Sequence, residues 1–198
     1  MSYRVIVPDD TAAAWLRAIA EGGRPREKAV SGLFDKFSRP FERYFIHHRV
    51  PEGLAEDLVQ DTFVDIVRGA HQWRGDAPAV VWLWTVARNR LLGHCRRDRP
   101  ETQLDEEQWE IVHNSAEFAS EDPAAWKTDC LRRQMGQFES DHPERASCLR
   151  FIVDHEWGVP ELAAFLSRSQ AAAKEYLSQC RKKLRDYLKN CEEWAGEY

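Results

Sequence analysis

The stretch Ala55-Glu56-Asp57-Leu58-Val59-Gln60-Asp61-Thr62-Phe63 decides the fold, and it lies within a longer segment, residues 54–68. Apolar and small side chains recur three and four positions apart in this segment, which is the repeat of one face of an α-helix. They are Ala55, Leu58, Val59, Thr62, Phe63 and Ile66. Acidic and amide side chains fill the other face. The segment therefore predicts an amphipathic helix with one packed face and one acidic face.

Similar patterns extend in both directions along the chain. Before this segment we expect a short helix over 11–20 and a second over 28–45 that Pro40 kinks or breaks. After it, helices are predicted over 80–97 and 145–155. A helix-turn-helix follows, with its first helix from Pro160, a turn at Ser167-Arg168-Ser169 and a second helix that runs through Leu184. Ser169 is expected to cap the last helix. No strand-like alternation or internal repeat appears, so the fold class is all-α.

The charge distribution divides the chain. Residues 100–141 carry 11 acidic and 3 basic side chains, whereas residues 28–99 and 142–189 are mildly basic. The net charge of −5 therefore conceals two basic modules and an acidic linker. We predict a partly ordered linker, an N-terminal extension over 1–27 and an acidic tail over 190–198.

The C-terminal helix pair is typical of DNA-binding proteins. In a helix-turn-helix the second helix enters the major groove, where Gln and Ser can read bases and Lys and Arg contact phosphates. The candidate residues are Ser169, Gln170, Ala172, Lys174, Glu175, Ser178, Gln179, Arg181 and Lys182. A helical hairpin that only packs, with a solvated basic end, is the alternative.

The N-terminal module resembles a known family. Residues 55–63, then Trp73-Arg74-Gly75-Asp76, then Trp82-Leu83-Trp84-Thr85-Val86-Ala87-Arg88-Asn89 resemble region 2 of extracytoplasmic-function (ECF) sigma factors, a subfamily of bacterial sigma-70 factors. The family pattern is close to D-A-E-D-L-V-Q-E-T-F, F-R-G and W-L-Y-R-I-A-R-N. Residues 161–185 also align with its region 4. The resemblance implies a transcription-initiation factor for a stress or signal regulon, with region 2 over 28–99 and region 4 over 142–189.

The resemblance also implies partners and roles. Glu56, Asp57, Gln60 and Asp61 would dock on the basic β′ coiled coil of core RNA polymerase, and region 4 would contact the β flap. Without the family resemblance, an ordinary solvated acidic face would be the better interpretation. Residues matching the reader of the −10 promoter element are Trp73, Arg74, Asp76, Trp82, Arg88, Asn89, Arg96 and Arg97, with Arg90 as a further candidate for the strand backbone. Asn89 would hold a flipped base during melting, while Trp73 and Trp82 are either stacking platforms or core. The −35 element would be read by the nine helix-turn-helix residues above.

The linker has two interpretations. In the family it threads a basic channel, where a negative segment acts as a polyanion mimic. It is equally a solvated spacer between the modules.

Several positions depart from the family pattern. Leu54 replaces an acid, Ala172 replaces a Thr, and Glu175, Tyr176 and Gln179 stand where Ser or Arg is usual. A carboxylate facing DNA is repelled unless it accepts from cytosine, so we predict altered recognition of the −35 element. Because one acid is lost at Leu54, Thr62 is a candidate phosphorylation site that would restore charge. The alternative is the family's ordinary half-buried threonine.

Other features bear on function class. The five cysteines are scattered and include no C-x-x-C pair, so we predict thiols in a reducing compartment, no metal site and no cofactor. No apolar run is long enough to insert in a membrane and no secretory signal is visible, which favours the cytoplasm.

Regulatory partners would be an anti-sigma factor or a Ser/Thr kinase. The sequence contains no phosphate-binding loop or nucleophile motif, so we expect no enzyme. A sigma-like decoy that binds a protein without opening promoters is the alternative function.

Overall fold

Residues 7–98 and 123–193 are described by the structure, a computed structural model, except for the side chains of 97, 98, 123–127, 190, 192 and 193. Eight α-helices occur in these two ranges, together with a 3-10 turn at Ala70–Gln72. The helices are α1 (Asp9–Glu21), α2 (Arg24–His47), α3 (Glu52–Gly69), α4 (Ala79–Asp98), α5 (Pro123–Asp141), α6 (Pro143–His155), α7 (Val159–Leu166) and α8 (Gln170–Glu193). No strand interrupts them within the described ranges, and the all-α prediction is confirmed.

The described residues form two compact units. Unit 1 comprises 7–98 and 150–174, so it holds α1 to α4, the end of α6, α7 and the start of α8. Unit 2 comprises 123–149 and 175–193, which are α5, the start of α6 and the remainder of α8. These divisions run through α6 and α8, whereas the sequence pattern placed a boundary between 141 and 142.

The predicted N-terminal extension takes part in unit 1. Leu16 and Ile19 of α1 are buried, and α1 packs against α2 and α4. The carboxylate of Asp9 accepts a hydrogen bond of 3.0 Å from the backbone N–H of Val80, one of the otherwise unpaired donors at the start of α4. Helix α1 therefore positions the helix that carries Asn89.

Helix α2 continues through Pro40, so the predicted break there is wrong. Proline removes one backbone hydrogen bond and costs about 3 kcal/mol inside a helix. Phe37, Phe41 and Phe45, which flank Pro40, are fully buried. Burying three phenylalanine side chains contributes about 1.5–3 kcal/mol each, which outweighs the loss.

An aromatic cluster joins the helices of unit 1. The indole of Trp84 in α4 packs edge-on against Phe41 of α2 and Phe151 of α6, each at 4.9 Å between ring centroids. Phe151 in turn contacts Phe165 of α7 at 4.9 Å. Helix α7, the first helix of the predicted helix-turn-helix, thereby packs on α4 within this unit.

His48, at the end of α2, lies beside this cluster. Its Nδ1 donates a 2.8 Å hydrogen bond to the carbonyl of Tyr44, while its buried Nε2 has no hydrogen-bond partner within the described part of the chain. The pKa of His48 is lowered from 6.5 to about 3, mainly by burial. The hydrogen bond to the Tyr44 carbonyl acts in the raising direction, and the nearby His47 and Arg88 add smaller lowering effects. His48 is therefore neutral in the folded protein.

Unit 2 is built on α5 and α8. Phe138 and Tyr187 pack at 5.5 Å between ring centroids, and the Tyr187 hydroxyl donates a 2.8 Å hydrogen bond to Asp141. Cys130 and Cys191 form a disulfide. The second half of the segment predicted as a partly ordered linker is a 19-residue helix in this structure. One prediction needs correction here, because two of the five cysteines expected to be thiols are paired in three dimensions although they are 61 residues apart.

No helix in the described ranges is both long and apolar enough to cross a membrane. Among the same residues, no group of three or more His, Cys, Asp or Glu side chains is arranged to hold a metal ion.

Candidate nucleic-acid and polymerase interfaces

The acidic face of α3 is at the surface. Its apolar stripe packs into unit 1, where Ala55 and Ile66 are fully buried. The four residues predicted to contact polymerase, Glu56, Asp57, Gln60 and Asp61, are all exposed. Leu54 and Val64 are also exposed, at 44% and 43%, so the acidic face carries an apolar residue toward each end.

One arginine of α4 reaches this face. The Nε of Arg90 donates to Asp65 at 2.9 Å, and its Nη1 lies 3.3 Å from Asp61. The sequence pattern had assigned Arg90 to the DNA backbone. Because Arg90 follows Asn89 directly, it projects to a different side of α4, toward α3. Arg90 thus offsets part of the negative charge of the acidic face and ties the two helices together.

Thr62 lies on the packed side of α3. Its side chain is fully buried, and its hydroxyl donates a 2.6 Å hydrogen bond to the carbonyl of Leu58 one turn earlier. A kinase cannot reach this hydroxyl unless α3 leaves its packing. The structure therefore disfavours Thr62 as a phosphorylation site and fits the alternative, a threonine within the buried stripe.

The predicted −10 residues of α4 fall into three groups. Asn89 and Arg96 are exposed, and Trp82 is half-buried with its ring near the backbone of Gly69. The guanidinium of Arg88 is different, because the residue is buried and lies 5.6 Å from the ring centre of Phe165. In this arrangement Arg88 holds α7 rather than facing solvent. The side chain of Arg97 lies outside the described residues.

The loop before α4 is fixed by its tryptophan. The Trp73 indole N–H donates a 3.0 Å hydrogen bond to the Ala77 carbonyl, and the Arg17 guanidinium of α1 lies 5.6 Å from the ring. Gly75 has a φ of +83°, a backbone conformation that glycine adopts readily. Trp73 therefore shapes the loop, and Arg74 and Asp76 are exposed at its surface.

Helices α7 and α8 form the helix-turn-helix. Ser167 ends α7 in the left-handed conformation, and Ser169 Oγ accepts a 3.2 Å hydrogen bond from the N–H of Ala172, which confirms Ser169 as the N-cap. All nine residues predicted to read the −35 element are exposed. Their common exposure follows from the burial of Ala173, Leu177 and Cys180 on the opposite side.

Two departures in α8 have different structural settings. Tyr176 is buried, and the Arg145 guanidinium of α6 lies 5.2 Å from its ring centre. Glu175 is exposed and accepts a hydrogen bond of 3.3 Å from the Gln179 amide. Tyr176 therefore belongs to the core of unit 2, whereas Ala172, Glu175 and Gln179 alter the exposed face.

The C-terminal half of α8 carries a further ion pair. The carboxylate of Asp186 lies 2.8 Å from the Lys189 ammonium, and this hydrogen bond lowers the pKa of Asp186. Asp186 lies about one turn beyond Lys182, and Lys189 about two turns beyond it.

Comparison with known proteins places this arrangement in a family. The sigma-70 region 2 family matches residues 33–101, which include the described parts of α2, α3 and α4 from Leu33 onward. RNA polymerase sigma factor CarQ of Myxococcus xanthus is 26% identical over 168 residues, covering 83% of this chain and 94% of CarQ. ECF RNA polymerase sigma factor BldN of Streptomyces coelicolor is 28% identical over 165 residues, covering 75% of this chain and 58% of BldN. These similarities support the ECF subfamily of sigma-70 factors for this chain.

Further proteins similar to this chain agree. RNA polymerase sigma factor SigZ of Bacillus subtilis is 21% identical over 162 residues, covering 82% of this chain and 88% of SigZ. The solved structure of CnrH in complex with the cytosolic domain of CnrY is 19% identical, with a TM-score of 0.57, and covers 91% of this chain and 99% of CnrH. At that identity the likeness concerns the fold.

The family match covers one part of the candidate interface. The acidic face of α3, the loop after it and Asn89 all lie within the matched residues 33–101. Helices α7 and α8 lie outside that range. The sequence pattern missed the roles of Arg90 and Tyr176, because which helix packs against which cannot be read from periodicity within one helix.

Proposed function

We propose that this ECF sigma factor binds core RNA polymerase through α3 and reads promoter DNA through two separate surfaces. The observation that carries the proposal is the exposure of the family motif: Glu56, Asp57 and Asn89 all face solvent while the apolar stripe of α3 is packed. Such residues are not needed to hold the fold. The site of action is the cytoplasm, where polymerase and DNA are found.

The polymerase-binding surface is the acidic face of α3. Glu56, Asp57 and Gln60 supply charge and hydrogen-bond acceptors, and Leu54 and Val64 supply apolar contact area. Complementary charge on the β′ coiled coil would speed encounter and fix orientation. Arg90 shields Asp61 and Asp65, which concentrates the unshielded charge at the N-terminal end of the helix.

The −10 surface is Asn89 with the loop of Arg74 and Asp76. An exposed amide offers both a donor and an acceptor to the edge of an unpaired base. Holding that base outside the duplex offsets the free energy of unpairing it. Arg96, two turns further along α4, is exposed and suited to a backbone phosphate. On its sequence position alone, Arg97 is proposed for the same contact with a backbone phosphate.

The −35 surface is the exposed face of α8 between Ser169 and Lys182. This face would lie in the major groove, and region 4 would also contact the β flap of the polymerase. Lys174, Arg181 and Lys182 supply positive charge for phosphates. Glu175 and Gln179 hydrogen-bond to each other, so the carboxylate is partly satisfied within the protein. We expect a −35 preference that differs from that of relatives with Arg at these positions.

Binding both promoter elements requires α7 to leave α4. The numbering of the −10 and −35 elements places them about 25 base pairs apart. At about 3.4 Å per base pair this is about 85 Å along the duplex. Helices that pack together, as α4 and α7 do in unit 1, have axes about 10 Å apart. Opening would expose Phe165 and release Arg88 from its ring, so Arg88 becomes available for DNA only in the open form.

A regulatory protein is a further proposed partner. CnrH has been solved with the cytosolic domain of CnrY, and an anti-sigma domain bound here would compete with polymerase or hold the closed arrangement. A kinase that modifies Thr62 is disfavoured, since the hydroxyl is buried. The decoy alternative is not favoured by relatives that are themselves named RNA polymerase sigma factors.

Transcription with purified core polymerase tests the proposal. A library of promoters is transcribed with the sigma factor, and the start sites are mapped. Start sites that share −10 and −35 sequences are expected with the wild type. Asn89→Ala should keep core binding but lose open-complex formation, whereas Glu56→Gln with Asp57→Asn should lose core binding. Asp35→Asn, an exposed change on α2, is the matched control. Core binding without specific RNA would instead indicate a decoy.

A further inference from the structure

The disulfide of unit 2 joins two residues that are not among those assigned to polymerase or DNA. Cys130 of α5 and Cys191 of α8 have their Cα atoms 5.8 Å apart, inside the range of about 4.4–6.8 Å that a disulfide spans. Cys95, Cys148 and Cys180 are not part of a disulfide. Structural disulfides are rare in cytosolic proteins, and those that occur there are usually transient and redox-sensing.

Helix α5 depends on this bond for much of its attachment. Among its described side chains, only Cys130, Phe138 and Asp141 are buried. Phe138 and Asp141 both contact Tyr187, so their contacts are grouped near one end of the helix. Cys130 is 11 residues before Asp141, which is about 16 Å along the helix axis. The disulfide therefore ties α5 to α8 at a second point, about three helical turns from these contacts.

We propose that Cys130 and Cys191 form a redox-responsive dithiol site that controls the recognition helix. This inference rests on the proposed role of α8 in reading the −35 element. The same helix carries Lys174 and Arg181 on its DNA-facing part and Cys191 near its end. In the oxidised form α5 is clamped to α8 and the recognition helix is ordered before it meets DNA. In the reduced form α5 loosens, and ordering α8 on DNA costs conformational entropy.

The oxidation step balances with a low-molecular-weight disulfide such as oxidised glutathione. One protein thiolate attacks a sulfur of that disulfide and expels one thiol. The second protein thiolate then attacks the mixed disulfide and expels the other thiol. The net change joins the two protein sulfurs and converts one small disulfide into two thiols. Cys191 is the expected first nucleophile, since it lies two residues before the end of α8 and helix ends open most readily.

Thiol counting on the full chain tests whether the site is redox-active. The protein is equilibrated in glutathione buffers of increasing oxidised fraction, quenched in acid, denatured and alkylated, and its intact mass is measured. The reduced chain should label at all five cysteines and the oxidised chain at three. The thermal midpoint of unit 2 should be higher in the oxidised form by on the order of 10 °C. Five labelled cysteines in every buffer would overturn the site.

Fluorescence anisotropy on a duplex carrying the −35 element tests the control of α8. Oxidised wild type should bind severalfold more tightly than reduced wild type. Cys130→Ser and Cys191→Ser should bind like the reduced form in both buffers, and Cys95→Ser should keep the redox dependence. Equal affinity in both states, with the thiol count changing from five to three, would overturn the control of α8. If neither the oxidised nor the reduced protein binds the duplex, the proposed function of α8 is overturned, and the redox control of DNA binding with it. The thiol count would still show whether Cys130 and Cys191 form a redox-active pair.

Discussion

Acidification should destabilise unit 1 through His48. The pKa of this side chain is lowered from 6.5 to about 3 in the folded protein, mainly by burial. Its Nδ1 proton is committed to the Tyr44 carbonyl, so a second proton would have to enter at the buried Nε2, near the Arg88 guanidinium. Unfolding places the ring in water, where its pKa returns to about 6.5. The unfolded chain therefore binds more protons than the folded chain between about pH 6.5 and pH 3.

The size of the effect follows from these two pKa values. Stability rises with pH wherever the unfolded state binds more protons, so the contribution of neutral His48 is complete above about pH 6.5 and is lost as the pH falls toward 3. At pH 5 the loss amounts to about 2 kcal/mol relative to neutral pH. For a urea slope of about 2 kcal/mol/M this shifts the unfolding midpoint by about 1 M.

Urea unfolding of the wild type and His48→Asn at pH 7.5 and pH 5 measures this contribution. Asn retains a side-chain N–H for the Tyr44 carbonyl but does not titrate. The wild type should lose about 2 kcal/mol more than His48→Asn between the two pH values. His71→Asn, which removes an exposed histidine, is the matched control and should follow the wild type. If the two losses differ by less than about 0.5 kcal/mol, the folded pKa of His48 lies within about half a unit of 6.5 and the reasoning is refuted.

Three further predictions concern the interfaces. Thr62→Val should cost less than about 1.5 kcal/mol of unfolding free energy, whereas Thr62→Glu should cost more than about 3 kcal/mol because it buries a carboxylate. Urea unfolding measures both changes. A Thr62→Glu variant as stable as the wild type would mean that the position is accessible. Glu175→Gln should tighten binding to −35 DNA roughly threefold at low salt by removing a repulsive charge; anisotropy against single-base variants checks it, and weaker binding that depends on one cytosine would assign Glu175 to base reading. Energy transfer between fluorescent probes attached at the exposed Arg68 and Ala164 should be high in the free chain, where both residues lie in unit 1. The transfer should be lost in the open promoter complex. Equal transfer in both states would contradict the movement of α7 away from α4.

The sequence predicts the helices of unit 1 well because each has one strongly packed face. The spacing of Leu58, Phe63 and Ile66 gives α3, and their burial confirms the stripe. Pro40 was weaker evidence for a helix break, because the free energy lost with one hydrogen bond is small beside that gained by burying three neighbouring phenylalanines. Helix α5 escaped prediction for the opposite reason. Its described part buries only three side chains, too few to produce a periodic pattern.

The candidate sites were predictable to the extent that they depend on exposure. A residue opposite a buried stripe must face solvent, so the acidic residues of α3 and the predicted −35 residues of α8 are exposed as expected. Contacts between distant segments do not follow from such a pattern. The Cys130–Cys191 bond joins residues 61 positions apart, and Arg88 meets Phe165 across two helices. Each of these pairings depends on the packing of whole helices.

The departures of α8 from its family become clearer when the structural and exposed positions are separated. Tyr176 fills the core of unit 2 beneath Arg145, so a large aromatic there serves packing and says little about DNA. Ala172 donates its backbone N–H to Ser169, a bond that does not depend on its side chain. The exposed changes are Ala172, Glu175 and Gln179, and the last two are hydrogen-bonded to each other. Three exposed changes on a helix that keeps its cap and its core should alter which −35 sequence is preferred while leaving the capacity to bind the groove intact.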